Sequence, residues 1–178
     1  MCMSKAQGGM GFRNLHAFNL AMLSKQAWHI LNNPNNLVVC MYKARCFPYD
    51  DIMEAKLGHN PSYAWQSIYK SVEVIRKGTW WRVGNGRRIH IWEDKWLPTP
   101  TTYKICSHQV DIEDFPMVLS LIDEDTRRWK VDKIIRYFLP FAVDVILNIP
   151  LSYTLPEDKI IWVGSKRGIF SVKSAGGG

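Results

Sequence analysis

Leu15, Phe18 and Met22 recur at helical steps, and Leu20, Leu23, Ala27, Ile30 and Leu31 widen the stripe. His16, Asn19, Gln26 and His29 fall on the remaining face. This pattern predicts an amphipathic helix over 14–31 with a broad buried side. Asn32-Asn33-Pro34-Asn35-Asn36 ends it, since proline among asparagines suits a turn. A shorter apolar helix is expected over 37–44, before Phe47-Pro48-Tyr49-Asp50-Asp51 breaks the chain. Trp65, Ile68, Val72 and Ile75 then recur at three- and four-residue steps. They predict a helix over 61–77, with Asn60 as its cap and Pro61 in its first turn. Arg76 and Lys77 suit its negative pole, and Gly78 offers a left-handed exit.

The period then changes. Thr79-Trp80-Trp81-Arg82-Val83 and Arg87-Arg88-Ile89-His90-Ile91-Trp92 flank Gly84-Asn85-Gly86, which predicts a β-hairpin. A two-residue Asn85-Gly86 turn would pair Val83 with Arg88 and mix apolar with charged positions. A three-residue loop with Gly86 left-handed pairs Val83 with Arg87 and Trp81 with Ile89. That register places Trp81, Val83, Ile89 and Ile91 on one face, and Trp80, Arg82, Arg88, His90 and Trp92 on the other. It is preferred because a sheet with one buried side needs a consistent apolar face.

Residues 93–116 read as irregular, with Pro98 and Pro100 in an extended connection. A helix within 126–138 carries Ile134, Ile135 and Phe138 and stops at Leu139-Pro140. A second helix, 141–148, follows. A second hairpin is expected from 159–163 and 169–173 around Gly164–Gly168. The ending Ser174-Ala175-Gly176-Gly177-Gly178 is expected to contribute no core. The fold class is therefore α+β: a helical N-terminal half, a central Trp-rich hairpin, a short helical pair and a C-terminal hairpin. The corresponding segments are 1–78, 79–100, 101–157 and 158–178.

With 178 residues, 47% hydrophobic and 22% charged, the chain suits one ordinary domain or two small ones and excludes disorder. No apolar run approaches the roughly 20 residues of a membrane helix, and no signal peptide is visible, so an intracellular protein without a membrane partner is expected. Four scattered cysteines, Cys2, Cys40, Cys46 and Cys106, do not make a disulfide scaffold. Charge changes the picture more. Residues 1–90 hold 12 Lys/Arg against 4 Asp/Glu, whereas residues 91–178 hold 11 against 12. A basic front half attracts polyanions, and clustering on one surface would make the excess count.

No catalytic set emerges. Neither a phosphate-binding glycine loop nor a nucleophile elbow is present. Asp123-Glu124-Asp125 and Asp50-Asp51 read as solvated turns or helix starts, not as two-metal sites. Cys106 with His108, and Cys40 with Cys46, lack the paired spacing of structural zinc, so no cofactor is expected. The sharper clue is the hairpin's outer face. Trp80, Arg82, Arg87, Arg88, His90 and Trp92 combine cations for phosphates with indoles for unpaired bases, a set suited to RNA or single-stranded DNA. The competing reading packs Trp80 and Trp92 into the fold and pairs the arginines with Glu93 and Asp94.

Several ordered motifs carry a resemblance. They include Gly8-Gly9-Met10-Gly11-Phe12-Arg13-Asn14-Leu15, Lys43-Ala44-Arg45-Cys46-Phe47-Pro48 and Ala55-Lys56-Leu57-Gly58-His59-Asn60-Pro61. Ile91-Trp92-Glu93-Asp94-Lys95-Trp96-Leu97-Pro98, Leu121-Ile122-Asp123-Glu124-Asp125 and Leu155-Pro156-Glu157-Asp158-Lys159-Ile160-Ile161-Trp162 follow in order. Together they resemble the polyproteins of plant LINE-type (non-LTR) retrotransposons, and also uncharacterised plant mitochondrial open reading frames. The resemblance implies a connector between the polymerase thumb of a reverse transcriptase and a zinc-binding module. Phe170-Ser171-Val172-Lys173-Ser174-Ala175 resembles the opening of that module, and Gly176-Gly177-Gly178 replaces its continuation. On this basis the chain is expected to lack catalytic and zinc residues, to be no enzyme itself, and to reside in nucleus or mitochondrion. Contact with template RNA or target DNA is one expected role; a purely structural connector or inactive relic is the other.

Overall fold

Two short strands from distant parts of the chain, not the two arms of one hairpin, make the longest sheet. The computed structural model describes residues 15–99, 102–105 and 116–175. They form an α+β fold whose chain divides into two units: residues 1–78 with 162–178, and residues 79–161.

The first unit is built on helices α1 (Leu15–Asn32), α2 (Leu37–Cys46) and α3 (Tyr63–Gly78). α1 packs along α3. Its buried seam is Ala21, Ser24, Ala27 and Ile30, so small side chains bring the two helices together. The Ser24 hydroxyl donates to the Leu20 carbonyl at 2.8 Å, which satisfies it inside this dry seam. The expected stripe of Leu15, Phe18 and Met22 is a correction: these residues are 75%, 37% and 44% exposed. Hydrophobicity alone favours large residues, but the closeness of two helices favours small ones, and the larger side chains are left on the flank.

α2 begins where the Asn36 side chain accepts from the Val38 amide at 3.0 Å. α3 is capped by Ser62, not by Asn60 as expected. The Ser62 hydroxyl accepts from the Trp65 amide at 3.3 Å, and its carbonyl accepts from the Gln66 amide at 2.9 Å. Trp65, Ile68, Val72 and Ile75 are buried, as their spacing requires. Gly78 does not take a left-handed exit, and its need for glycine has another cause. A Cβ there would overlap the Trp162 ring. Trp162 in turn meets Phe170 edge-on at 4.7 Å, and Phe170 stacks with Trp28 at 6.2 Å.

In the second unit, β1 (Thr79–Arg82) pairs with β4 (Lys159–Trp162). The expected central hairpin is thereby overturned, together with its Val83–Arg87 and Trp81–Ile89 pairs. The segment after the turn pairs elsewhere: His90 bridges Met117, and the Ile89 carbonyl accepts from the Val118 amide at 2.9 Å. A 3-10 turn (Val118–Leu121) leads into β2 (Ile122–Asp123), which pairs antiparallel with β3 (Arg128–Trp129). The short helical pair is α4 (Val131–Tyr137) and α5 (Pro140–Leu147), broken at Leu139-Pro140 as expected. Ile89, Ile91, Trp96, Val118, Leu121, Ile122, Ile134, Phe138 and Ile146 fill the core between them.

What holds the turn is a buried acid. Asp158, 3% exposed, accepts from the amides of Gly84 at 2.7 Å and Gly86 at 2.9 Å with Oδ1, and from Arg88 at 3.0 Å with Oδ2. Gly86 is left-handed (φ 72°), as expected, while a Cβ on Gly84 would overlap the Pro156 carbonyl. With three turn amides committed to one carboxylate, the two arms are free to take other strands as partners. The expected C-terminal hairpin is also corrected. The Trp162 amide donates to the Gly168 carbonyl at 2.8 Å, closing a turn, but residues 172–175 form helix α6 (Val172–Ala175) instead of a strand. The Ser171 hydroxyl accepts from the Ser174 amide at 3.2 Å and starts that helix.

Two predictions follow from these packings. Asp158→Ala strands the buried amides of Gly84 and Gly86 and the partly buried amide of Arg88, and is expected to lower stability by on the order of 3 kcal/mol in urea unfolding, with formate in the buffer restoring part of the loss. Asp158→Asn keeps one acceptor oxygen and should fall between the two. Leu15→Gln should change stability by less than about 0.5 kcal/mol, whereas Ala27→Gln in the seam should cost several times more.

Candidate nucleic-acid interface

The candidate residues lie on β1 and the turn that follows it, and the fold treats them unequally. Trp80 is half-buried, its ring 5.4 Å from that of Tyr103. Trp92 is half-buried too, with its ring 5.3 Å from buried Phe138. Trp81, expected on the apolar face, packs against the core with one ring face 5.5 Å below the Arg88 guanidinium. Trp81 and Arg88 therefore meet, although the hairpin register placed them on opposite faces. The apolar assignments of Val83, Ile89 and Ile91 stand: all three are buried.

Arg87 is tied to Glu124 at 2.8 Å, and both side chains are more than half exposed, so the pair is screened and weak. The partner is Glu124, not the Glu93 or Asp94 that the packing alternative named. The His90 amide instead donates to the Asp94 carboxylate at 2.7 Å, and the Asp94 amide returns a bond to the His90 carbonyl at 3.2 Å. These bonds serve the local turn and leave the imidazole out of account. Arg82 is exposed at the end of β1, and among the described residues no carboxylate pairs with Arg82 or Arg88. The structure thus keeps Arg82 and Arg88 available, commits Arg87 to an ion pair, and gives Trp80 and Trp92 ring neighbours.

Residue spacing did not single out Lys159, which lines a cleft of about 340 Å³ together with Arg82. Nor did it single out Asp158, since an acid after Pro156-Glu157 looks like any exposed turn and acids are seldom fully buried. The pairing of β1 with β4 brings both into the neighbourhood of the turn.

The acidic run 123–125 forms a turn. The Asp123 carboxylate accepts from the Asp125 amide at 3.0 Å and the Thr126 amide at 3.3 Å. Hydrogen bonds from the Thr126 backbone and hydroxyl hold its carboxyl below the usual carboxylate range. Burial pushes the Lys133 ammonium down, helped by Lys130, and its Nζ donates to the Ser120 carbonyl at 3.3 Å. Burial likewise raises the Cys46 thiol, and Cys40 is exposed. Among the described residues no three His, Cys, Asp or Glu side chains gather as metal ligands; Cys2, Cys106 and His108 lie outside them. No helix among them is long and apolar enough to cross a membrane.

Charge is partitioned by the fold. The first unit carries 12 Lys/Arg against 4 Asp/Glu, and the second carries 11 against 12. The front half's basic excess is thus shared: most of it lies in the helical unit, while Arg82, Arg87 and Arg88 of the Trp/Arg turn belong to the other, and Lys166, Arg167 and Lys173 add to the helical unit from the far end of the chain. Lys25, Lys43, Arg45, Lys56, Lys70, Lys166 and Arg167 of the first unit are exposed, and no ion pair engages them among the described residues.

No protein-family model and no solved structure matches the chain. It is 38% identical over 102 residues to an "Uncharacterized mitochondrial protein" of Arabidopsis thaliana, a match that covers 57% of this chain and 66% of that protein. It is 25% identical over 181 residues to a "Putative ribonuclease H protein" of Arabidopsis thaliana, covering 98% of this chain and 29% of that protein. The chain thus spans somewhat less than two thirds of the first relative and under a third of the second. What these comparisons establish is similarity to an uncharacterised plant mitochondrial protein and, more distantly, to one segment of a plant protein named for ribonuclease H.

Proposed function

We propose that the chain is a non-catalytic segment of a LINE-like reverse transcriptase polyprotein, acting in nucleus or mitochondrion, that contacts template RNA or target DNA through phosphates. The carrying observation is the charge partition: a helical unit with three times as many basic as acidic residues, in which Lys25, Lys43, Arg45, Lys56, Lys70, Lys166 and Arg167 are exposed and outside any ion pair among the described residues, while Arg76 and Lys77 pair with Glu73. The near full-length match inside a much longer protein named for ribonuclease H supports a role within a larger chain. In this reading Arg82 and Arg88 add phosphate contacts from the second unit. Trp80 and Trp92 serve mainly as packing, since each already has a ring neighbour. Reverse transcriptase and zinc-binding domains flanking the segment would be its protein partners.

The alternative, a connector whose role is purely structural, is favoured by one specific observation. Trp80 against Tyr103, Trp92 against Phe138, Arg88 over Trp81 and the Arg87–Glu124 pair engage four of the six candidate residues inside the fold.

Filter binding of the full chain to single-stranded RNA across a salt series separates the two. Contact through phosphates predicts log affinity falling steeply with log salt, by about 0.7 per phosphate engaged. Lys166→Glu with Arg167→Glu should weaken binding and flatten that slope, while Arg87→Ala should leave both unchanged. Trp92→Ala should cost about 2 kcal/mol of stability through lost packing on Phe138, with little effect on affinity at temperatures where the protein stays folded. A weak, salt-independent response would favour the structural connector.

A further inference from the structure

Arg82 ends β1 and Lys159 begins β4, the two strands pair, and both side chains line the same cleft. Two like charges at the ends of paired strands repel, a cost that a bound anion removes. Glu157 also lines this cleft, so the charged residues around it carry one net positive charge. A phosphodiester carries one negative charge and matches it.

The rest of the lining is of a different kind. Pro150, Leu151 and Pro156 supply rigid apolar surface, and Ser152 supplies a hydroxyl, already 3.1 Å from that of Thr154. The volume of about 340 Å³ falls within the range of small-molecule sites, where apolar walls carry a few well-placed polar groups. Its geometry is held from below. The cleft includes Val83 and Gly84, and the Gly84 amide is fixed by Asp158 at 2.7 Å while its Cα lies close against the Pro156 carbonyl. A cleft pinned by that carboxylate needs little ordering when a ligand arrives.

From this arrangement we infer that the cleft takes one nucleotide of a single strand, its phosphodiester on Arg82 and Lys159 and its base against Pro150, Leu151 and Pro156. The inference deepens the nucleic-acid reading and rests on it for the source of the ligand. Contact of a base face with proline and leucine surface reads no base edge, so that contact confers no preference among bases.

The test is calorimetric titration of the full chain at low salt with the dinucleoside monophosphate ApA, with adenosine and with inorganic phosphate, beside a single-stranded RNA. ApA is expected to bind more tightly than adenosine or phosphate. Arg82→Ala with Lys159→Ala should weaken ApA about tenfold or more by removing charge-assisted bonds. Ser152→Asp, which puts a negative charge into the cleft from an exposed position, should do the same while circular dichroism stays unchanged. Equal affinity for phosphate and ApA would overturn the base platform, and indifference of ApA binding to both variants would overturn the site. Salt-dependent RNA binding without ApA binding would remove the cleft and leave the nucleic-acid reading standing. Binding of ApA without RNA would remove that reading and leave the cleft.

Discussion

One carboxylate organises the second unit. Asp158 gathers the amides of Gly84, Gly86 and Arg88, three donors that a simple hairpin turn would leave to its own strands or to water. Placing a charge at 3% exposure is unfavourable unless its oxygens are bonded, and here three backbone donors supply that compensation. The consequence reaches beyond the turn. Held from the side of residue 158, the chain before the turn lies along β4, and the chain after it lies along Pro116–Val118. The cleft bounded by Arg82 and Lys159 is a by-product of that same tether.

The aromatic residues around the turn show how packing and recognition compete for the same side chains. An indole offers area to a base or to a core, and at Trp92 the ring of Phe138 already takes one side. Arg88 lies over Trp81, so a cation that the pleat would have sent outward shields a partly buried ring instead. What remains for a polyanion is charge more than stacking surface, and most of that charge belongs to the helical unit. A phosphate-directed mode of contact is consistent with this division, because phosphate contacts need cations at the surface and no particular base geometry.

In the helical unit the decisive residues are small. Ala21, Ser24 and Ala27 form the seam of α1, and Gly78 accepts the Trp162 ring where any side chain would collide. The cost of this close approach is an exposed flank of Leu15, Phe18 and Met22. Close packing of backbone against backbone, and of backbone against an indole, thus sets which apolar residues are inside.

Read alone, the residues determined helices α1 to α5, the break at Leu139-Pro140, the left-handed Gly86 and the burial of Val83, Ile89 and Ile91. Each follows from a local rule: period, ring constraint, backbone sterics or alternation. They also located the basic excess and the Trp/Arg turn. Strand partners were beyond reach, because β1 and β4 are about eighty residues apart and the contact that accompanies their pairing is made by Asp158, whose neighbours in sequence mark it as an ordinary turn acid. The second arm of the C-terminal hairpin failed for a similar reason, since a serine cap at Ser171 outweighed a short β-like run. Which cations belong together was also decided in three dimensions: the division into two units separated the helical charge from Arg82 and Arg88, and strand pairing joined Arg82 to Lys159. Local preferences act over a few residues; the grouping of charges and the choice of partners are settled by contacts that form only when distant segments meet.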